Sequence, residues 1–141
     1  MKAALLSTYR PENYRGDVWL LTERDAGTRI DGSRNDLFVL RLKEHSGGGY
    51  LWDMDELKAS GFAVVRDEVE AMDATAIGGP VVRRVTAQPY NSYRGQMAIN
   101  ERRPWEPDET PLSKLEVEFD LTGPEEEGLS RAERRILLEA A

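Results

Sequence analysis

The sequence predicts an all-β protein, an immunoglobulin-like antiparallel β-sandwich of seven or eight strands with a short C-terminal helix. Strand-forming stretches follow one another at short intervals, with turns rich in Gly, Pro, Asn and Asp between them. Strands do not alternate with helices, so a parallel βαβ sheet is not expected. Residues 114–121 alternate apolar and acidic or basic side chains, which is typical of a strand with one buried face.

The first half of the chain supplies four candidate strands, at residues 17–23, 28–30, 37–43 and around Tyr50 and Trp52. Residues 37–40 are all apolar, which predicts that this end of its strand is buried on both faces. Residues 53–61 can form either a single helical turn or a loop, with Met54 and Leu57 as the side chains that reach the core.

The second half supplies strands at residues 62–70, 81–88, 94–101 and 114–121. The acidic side chains of residues 67, 68 and 70 lie on both faces of their strand, which favours a solvated edge over a metal site. Ser130 and Glu133 have the spacing of a capping box and open a short helix over 131–139. We therefore expect an N-terminal extension (1–16), a β-sandwich domain (17–122), and an acidic loop with a helix (123–141).

Composition excludes several functions. The 141 residues include no cysteine and one histidine, His45, which excludes disulfides, thiolate metal sites, thiol nucleophiles and sites that need two imidazoles. The formal net charge of −7 disfavours nucleic acid as a partner. No stretch is long and apolar enough to cross a bilayer, and the N-terminal apolar run is too short for a signal peptide. We expect a cytoplasmic protein without cofactor or metal; its oligomeric state is left open.

Catalysis has little support in the sequence. His45 and Ser46 are neighbours, and on an extended chain their side chains point apart. The glycines that follow lack the Lys-Ser/Thr ending and the helix of a phosphate-binding loop. A non-enzymatic binding module is therefore the preferred interpretation.

Three loops are candidates for binding, at residues 44–49, 77–80 and 102–107. The first contains three consecutive glycines, which permit positive φ and close approach of the backbone to another surface, although a plain tight turn is an alternative. In the third, Pro104 and Pro107 stiffen the chain around Trp105. Trp105 can be a binding anchor or can fold back onto the core, and the residues alone leave both open.

The order of these motifs resembles the chagasin family of cysteine-peptidase inhibitors over about residues 17–122. The third family motif is intact as Arg103-Pro104-Trp105, and the second is reduced to Gly78-Gly79. Gly49-Tyr50-Leu51-Trp52 matches the second half of the first motif. Residues 45–48 are His, Ser, Gly and Gly where family members have Asn, Pro, Thr and Thr.

The resemblance implies an inhibitor of papain-like cysteine peptidases that wedges three loops into the active-site cleft, with the peptidase as its protein partner. The implied binding residues are His45, Ser46, Gly47, Gly48, Gly49, Tyr50, Ile77, Gly78, Gly79, Pro80, Arg103, Pro104, Trp105 and Glu106. The glycines of the first loop predict lower stiffness and weaker binding than in a standard member. The alternative is a non-inhibitory chagasin-like module, which is part of a larger protein or binds another protein through the same loops or the C-terminal helix.

Overall fold

The computed structural model describes residues 4–5, 17–70, 79–92 and 94–122, and side chains from residue 17 onward. The described elements are β1 (Ala4–Leu5), β2 (Val18–Leu21), β3 (Arg29–Asp31), β4 (Leu37–Glu44), β5 (Leu51–Trp52), α1 (Met54–Ala59), β6 (Phe62–Glu70), β7 (Val81–Pro89), β8 (Arg94–Arg102) and β9 (Ser113–Asp120). They form a five-stranded sheet in the order β1-β2-β4-β7-β6 and a four-stranded sheet in the order β3-β9-β8-β5.

The predicted all-β, two-sheet fold is confirmed, and every stretch predicted as a strand contains one. Strand β1 is an addition, since the sequence shows no clear period there. Most pairings are antiparallel, but β2–β4 and β3–β9 are parallel. The parallel β2–β4 pair arises because the chain crosses from β2 to β3 in the other sheet and returns to β4 in the same direction as β2. Local alternation of side chains does not reveal such crossings.

The core lies between the two sheets and is centred on three phenylalanines. The ring centroid of Phe38 lies 5.0 Å from that of Phe119 and 5.9 Å from that of Phe62, with the rings edge to face. Such pairs add about 0.5 to 1.5 kcal/mol each beyond the area they bury. The predicted burial of β4 is confirmed, because its first four residues are all inaccessible to solvent.

Residues 53–61 form a helix rather than a loop. Asp53 caps α1 by accepting hydrogen bonds from the backbone N–H groups of Asp55 and Glu56. The Glu56 carboxylate accepts from Asn100 of β8, and Leu57 is fully buried, so the helix is fixed on the four-stranded sheet. No helix in the described ranges is long and apolar enough to cross a membrane. The C-terminal helix expected over 131–139 lies outside the described residues.

Candidate functional site

Three connections between strands begin and end at the same end of the sandwich. We define loop 1 as residues 45–50 and loop 3 as residues 103–112. The connection between β6 and β7, residues 71–80, is called loop 2, and only its residues 79–80 are among those that the structure describes. Val81, which follows loop 2, lies opposite Glu44, which precedes loop 1. Leu51, which follows loop 1, lies opposite Arg102, which precedes loop 3. The strand register therefore brings the ends of all three loops to one pole of the sandwich, which we call the loop pole.

Loop 1 is a hydrogen-bonded turn. Residues Ser46–Gly48 form one turn of 3-10 helix, in which the Gly48 N–H donates to the His45 carbonyl at 3.0 Å and the Gly49 N–H donates to the Ser46 carbonyl at 2.9 Å. Gly49 has φ of +85°, a conformation that other residues rarely adopt. The triple glycine therefore satisfies a specific backbone conformation, and the hydrogen bonds argue against the low stiffness expected from its composition.

Trp105 lies against loop 1 and faces solvent. Its side chain is 66% exposed, so the alternative in which it covers the core does not apply. A Cβ atom at Gly49 would come within 2.4 Å of Trp105 Cη2, so only glycine allows the indole to sit at this place. The glycine of one family motif and the tryptophan of another are thus in direct contact.

Arg103 makes a second link between loop 1 and loop 3. Its Nε donates to the Gly48 carbonyl at 2.9 Å, and its guanidinium lies 4.5 Å from the centroid of the Tyr50 ring. Such cation–π contacts contribute about 0.5 to 1 kcal/mol at exposed sites. Glu106 closes the turn of loop 3, because its N–H donates to the Arg103 carbonyl and its carboxylate lies 3.4 Å from Arg103 Nη1.

A buried carboxylate holds the start of loop 1 against β8. Glu101 is 0% exposed and accepts hydrogen bonds from the His45 backbone N–H at 2.6 Å and from His45 Nδ1 at 3.0 Å. Its own backbone carbonyl accepts from the N–H of Leu112 at the end of loop 3. Glu101 therefore fixes both loops at their bases, and His45 has a positioning contact rather than a catalytic one.

A second buried carboxylate closes loop 1 from the other side. Glu44 is 2% exposed, and its Oε2 accepts from the Trp52 N–H at 3.0 Å and from Arg83 Nη1 at 2.8 Å. The same Nη1 donates to the Trp52 carbonyl at 2.9 Å. Glu44, which precedes loop 1, and Trp52, the second residue after it, are thus joined through one carboxylate and one guanidinium.

The predicted site residues are only partly brought together. Those of loop 1 and loop 3 are in contact through Gly48, Gly49, Tyr50, Arg103 and Trp105. Of the predicted loop 2 residues, Gly79 and Pro80 are described and half-buried, whereas Ile77 and Gly78 lie outside the described residues.

Sequence reasoning missed the two buried glutamates and Arg83. A signal for them exists, because Leu40, Leu42 and Glu44 alternate on one face of β4, as Met97, Ile99 and Glu101 do on β8. A charged residue in register with core residues at a strand end indicates a buried, partnered charge. No cluster of side chains that could hold a metal ion occurs in the described ranges.

Comparison with known proteins agrees with this geometry. A family model described as chagasin family peptidase inhibitor I42 matches residues 32–122, more than half of the chain. Amoebiasin-2 of Entamoeba histolytica is 26% identical over 100 residues, which cover 70% of this chain and 80% of that protein.

Two solved structures have the same fold. The crystal structure of the cysteine protease inhibitor EhICP2 from Entamoeba histolytica matches with a TM-score of 0.62 and 24% identity, over 74% of this chain and 95% of that one. The solution structure of amebosin matches with a TM-score of 0.55 and 18% identity, over 72% of this chain and 94% of that one. With the matched family model, the shared fold leads to one conclusion: the chain belongs to the chagasin family of peptidase inhibitors.

Proposed function

We propose that the protein inhibits papain-like cysteine peptidases by inserting the loop pole into the active-site cleft. Membership of a peptidase-inhibitor family supports an inhibitory role, and the similarity to EhICP2, a cysteine protease inhibitor, supports the class of target. The observation that carries the proposal is the contact of Trp105 with Gly49, together with the hydrogen bond from Arg103 to Gly48. These contacts join two separate family motifs in one exposed tip.

Loop 1 is the part of the tip that enters the cleft in this proposal. Gly47, Gly48 and Gly49 carry no side chains, so the turn presents mainly backbone to the peptidase. Trp105 lies beside it as a large exposed aromatic group, the kind of residue that anchors interfaces. Loop 2 and loop 3 contact the walls on either side. Inhibition requires no bond to be made or broken and no cofactor, so the protein acts as a non-enzymatic plug.

The internal contacts of loop 1 offset part of the binding free energy that is lost because the loop has glycines instead of larger side chains. Replacing threonines by glycines removes contact area, and ordering each free residue on binding costs about 1 to 2 kcal/mol. Because the turn is already hydrogen-bonded and held by Arg103 and Glu101, less of this cost remains to be met on association. A pre-ordered loop is compatible with useful affinity despite its composition.

The direct test is titration of the purified protein against several papain-like cysteine peptidases, with a serine peptidase as the negative control. We expect reversible inhibition that competes with substrate, and an inhibitor that remains intact after long incubation. An absence of inhibition at micromolar concentration across the papain-like panel would contradict the proposal. Cleavage of loop 1 at the rate of a substrate would contradict the wedge mechanism.

The same titration separates the alternative, a non-inhibitory module that binds another protein. The replacement of two threonines by Gly47 and Gly48 is the feature that favours it. In that case the peptidases would retain full activity, and a partner captured by the protein would be lost when Trp105 is replaced by Ala. A cytoplasmic location also stays a prediction, based on the absence of cysteine.

A further inference from the structure

The Arg83 side chain contacts two residues next to loop 1 and one residue on the strand that precedes loop 2. It lies on β7, three residues after loop 2 ends, and its side chain is only 14% exposed. On one side, its Nη1 donates to Glu44 Oε2 at 2.8 Å and to the Trp52 carbonyl at 2.9 Å. Glu44 directly precedes loop 1, and Trp52 is the second residue after it.

On the other side, Arg83 holds the strand that enters loop 2. Its Nε donates to Asp67 Oδ1 at 2.9 Å and its Nη2 donates to Asp67 Oδ2 at 2.6 Å, a two-point pairing of guanidinium and carboxylate. Asp67 lies on β6, four residues before loop 2 begins. The hydrogen bonds to Asp67, followed by those to Glu44, raise the pKa of Arg83 above its usual value, so it stays charged.

The link also crosses between the two sheets. Strands β6 and β7 belong to the five-stranded sheet, whereas Trp52 belongs to β5 of the four-stranded sheet. Four hydrogen bonds from one planar group on β7 therefore join β4 and β5, the strands that flank loop 1, to β6 across the open end of the sandwich. Lysine has a single donor group and cannot reproduce this fork.

We propose that Arg83 is a positioning residue for inhibition, which fixes loop 1 relative to β6 and β7, the strands on either side of loop 2, without itself entering the peptidase cleft. This inference rests on the proposed inhibitory function and names a residue that holds loop 1 in place for it. If loop 1 must enter the cleft, its placement before binding determines how much ordering remains to be done on association.

The test compares Arg83→Met and Arg83→Lys with Asp36→Ala, which removes a buried carboxylate at the opposite end of the sandwich. All three variants are assayed for inhibition at a temperature where unfolding curves show them to be folded. We expect Arg83→Met to weaken inhibition about tenfold or more, the loss that corresponds to ordering about one backbone residue on binding. Arg83→Lys should recover little of it, and Asp36→Ala should inhibit as the wild type does.

Backbone amide exchange supplies a readout that does not depend on the peptidase. The N–H groups of Gly48, Gly49 and Trp52 should exchange faster in both Arg83 variants and remain unchanged in Asp36→Ala. Unchanged exchange at these three amides, or inhibition by Arg83→Met equal to that of the wild type, would overturn the positioning role. A wild-type protein that inhibits no peptidase would instead refute the proposed function, and the exchange data would still decide whether Arg83 orders loop 1.

Discussion

The two poles of the sandwich use tryptophan in opposite ways. At the pole opposite the loops, Trp19 is half-buried, its indole N–H donates to Asp36 Oδ2 at 3.0 Å, and its ring stacks near Phe38. At the loop pole, Trp105 is 66% exposed and rests on Gly49. Trp19 packs its apolar ring and hydrogen-bonds its polar N–H within the fold, whereas Trp105 leaves a large apolar surface in contact with water.

Both poles are nevertheless built on buried carboxylates that accept backbone N–H groups. Asp36 accepts from the N–H groups of Asp17 and Ser33, as Glu101 accepts from that of His45. The poles therefore share a method of fixing turns, and they differ in what the fixed turns present to solvent. An exposed aromatic side chain on a rigid support is typical of a binding site, because the unfavourable exposure of its apolar surface to water is removed when a partner covers it.

The largest expected effect comes from removing the exposed tryptophan. Trp105→Ala should weaken inhibition about 30-fold or more, because a central aromatic anchor commonly contributes 2 kcal/mol or more to binding. Its stability should change little, since the indole covers no core residue. Tyr90→Ala is the matched control, because Tyr90 is 55% exposed and follows β7 at the opposite pole. The comparison fails if the two variants have the same inhibition constant.

The next effect comes from separating the two loops without removing the anchor. Gly49→Ala and Gly27→Ala both place a side chain at positive φ, +85° and +81°, which costs about 1 to 2 kcal/mol in each case. Only at Gly49 would the new methyl group collide with Trp105, since nothing lies within 4 Å of a Cβ atom at Gly27. Unfolding curves should show similar losses of stability for both variants.

Inhibition should distinguish the two glycine variants. We expect Gly49→Ala to weaken it by about tenfold, corresponding to about 1.4 kcal/mol, and Gly27→Ala to leave it unchanged. If both variants inhibit equally well, the contact between Trp105 and Gly49 has no role in binding. The two poles would then differ only in how exposed their tryptophans are.

Much of the fold was predictable because burial imposes a period on the sequence. The alternation of Leu115, Val117 and Phe119 with charged residues identifies β9, and the apolar run of residues 37–40 identifies the buried end of β4. The parallel pairings were not predictable, because they depend on which sheet each strand joins. That is a property of the whole chain rather than of any segment.

The candidate site was predictable as a set of motifs, but not as an assembly. Gly49 and Trp105 are 56 positions apart in sequence, and no local pattern indicates that the Trp105 side chain packs on Gly49. The residues beneath the loops were missed because a charged residue at the end of a strand usually reaches solvent. Only its register with Leu42 or Ile99 indicates that Glu44 or Glu101 faces inward.

Replacing the buried carboxylate residue of either pole by alanine should have a smaller effect on binding and a clear effect on stability. Glu101→Ala and Asp36→Ala each leave buried donors without an acceptor, and we expect each to lose about 2 to 3 kcal/mol of unfolding free energy. Only Glu101→Ala should also weaken inhibition, because His45 and the base of loop 1 lose their support. Chemical denaturation and inhibition assays on the same samples check both parts. Equal inhibition by the two variants would show that support of loop 1 by Glu101 does not matter for binding.

The smallest effect is a pH dependence of stability that arises from Asp36, at the pole opposite the loops. Burial raises the pKa of Asp36 above its ordinary value, against the hydrogen bonds from Asp17, Trp19 and Ser33 that lower it. In the window between the ordinary aspartate value, about 3.9, and the raised one, the folded protein binds more protons than the unfolded chain. The contribution of Asp36 to stability is therefore greatest below this window and falls as the pH rises through it.

The pH dependence that Asp36 contributes can be isolated by comparing the unfolding free energies of the wild type and of variants. The difference in unfolding free energy between the wild type and Asp36→Asn should grow in favour of the wild type as the pH is lowered from neutral towards about 4. The corresponding difference for Trp105→Ala should stay flat, because that variant removes no titratable group. Asp120, whose pKa is lowered chiefly by its hydrogen bonds with Thr122, acts with the opposite sign in the wild type and in both variants, so its contribution cancels. A difference for Asp36→Asn that shrinks on acidification would mean that hydrogen bonding outweighs burial at Asp36.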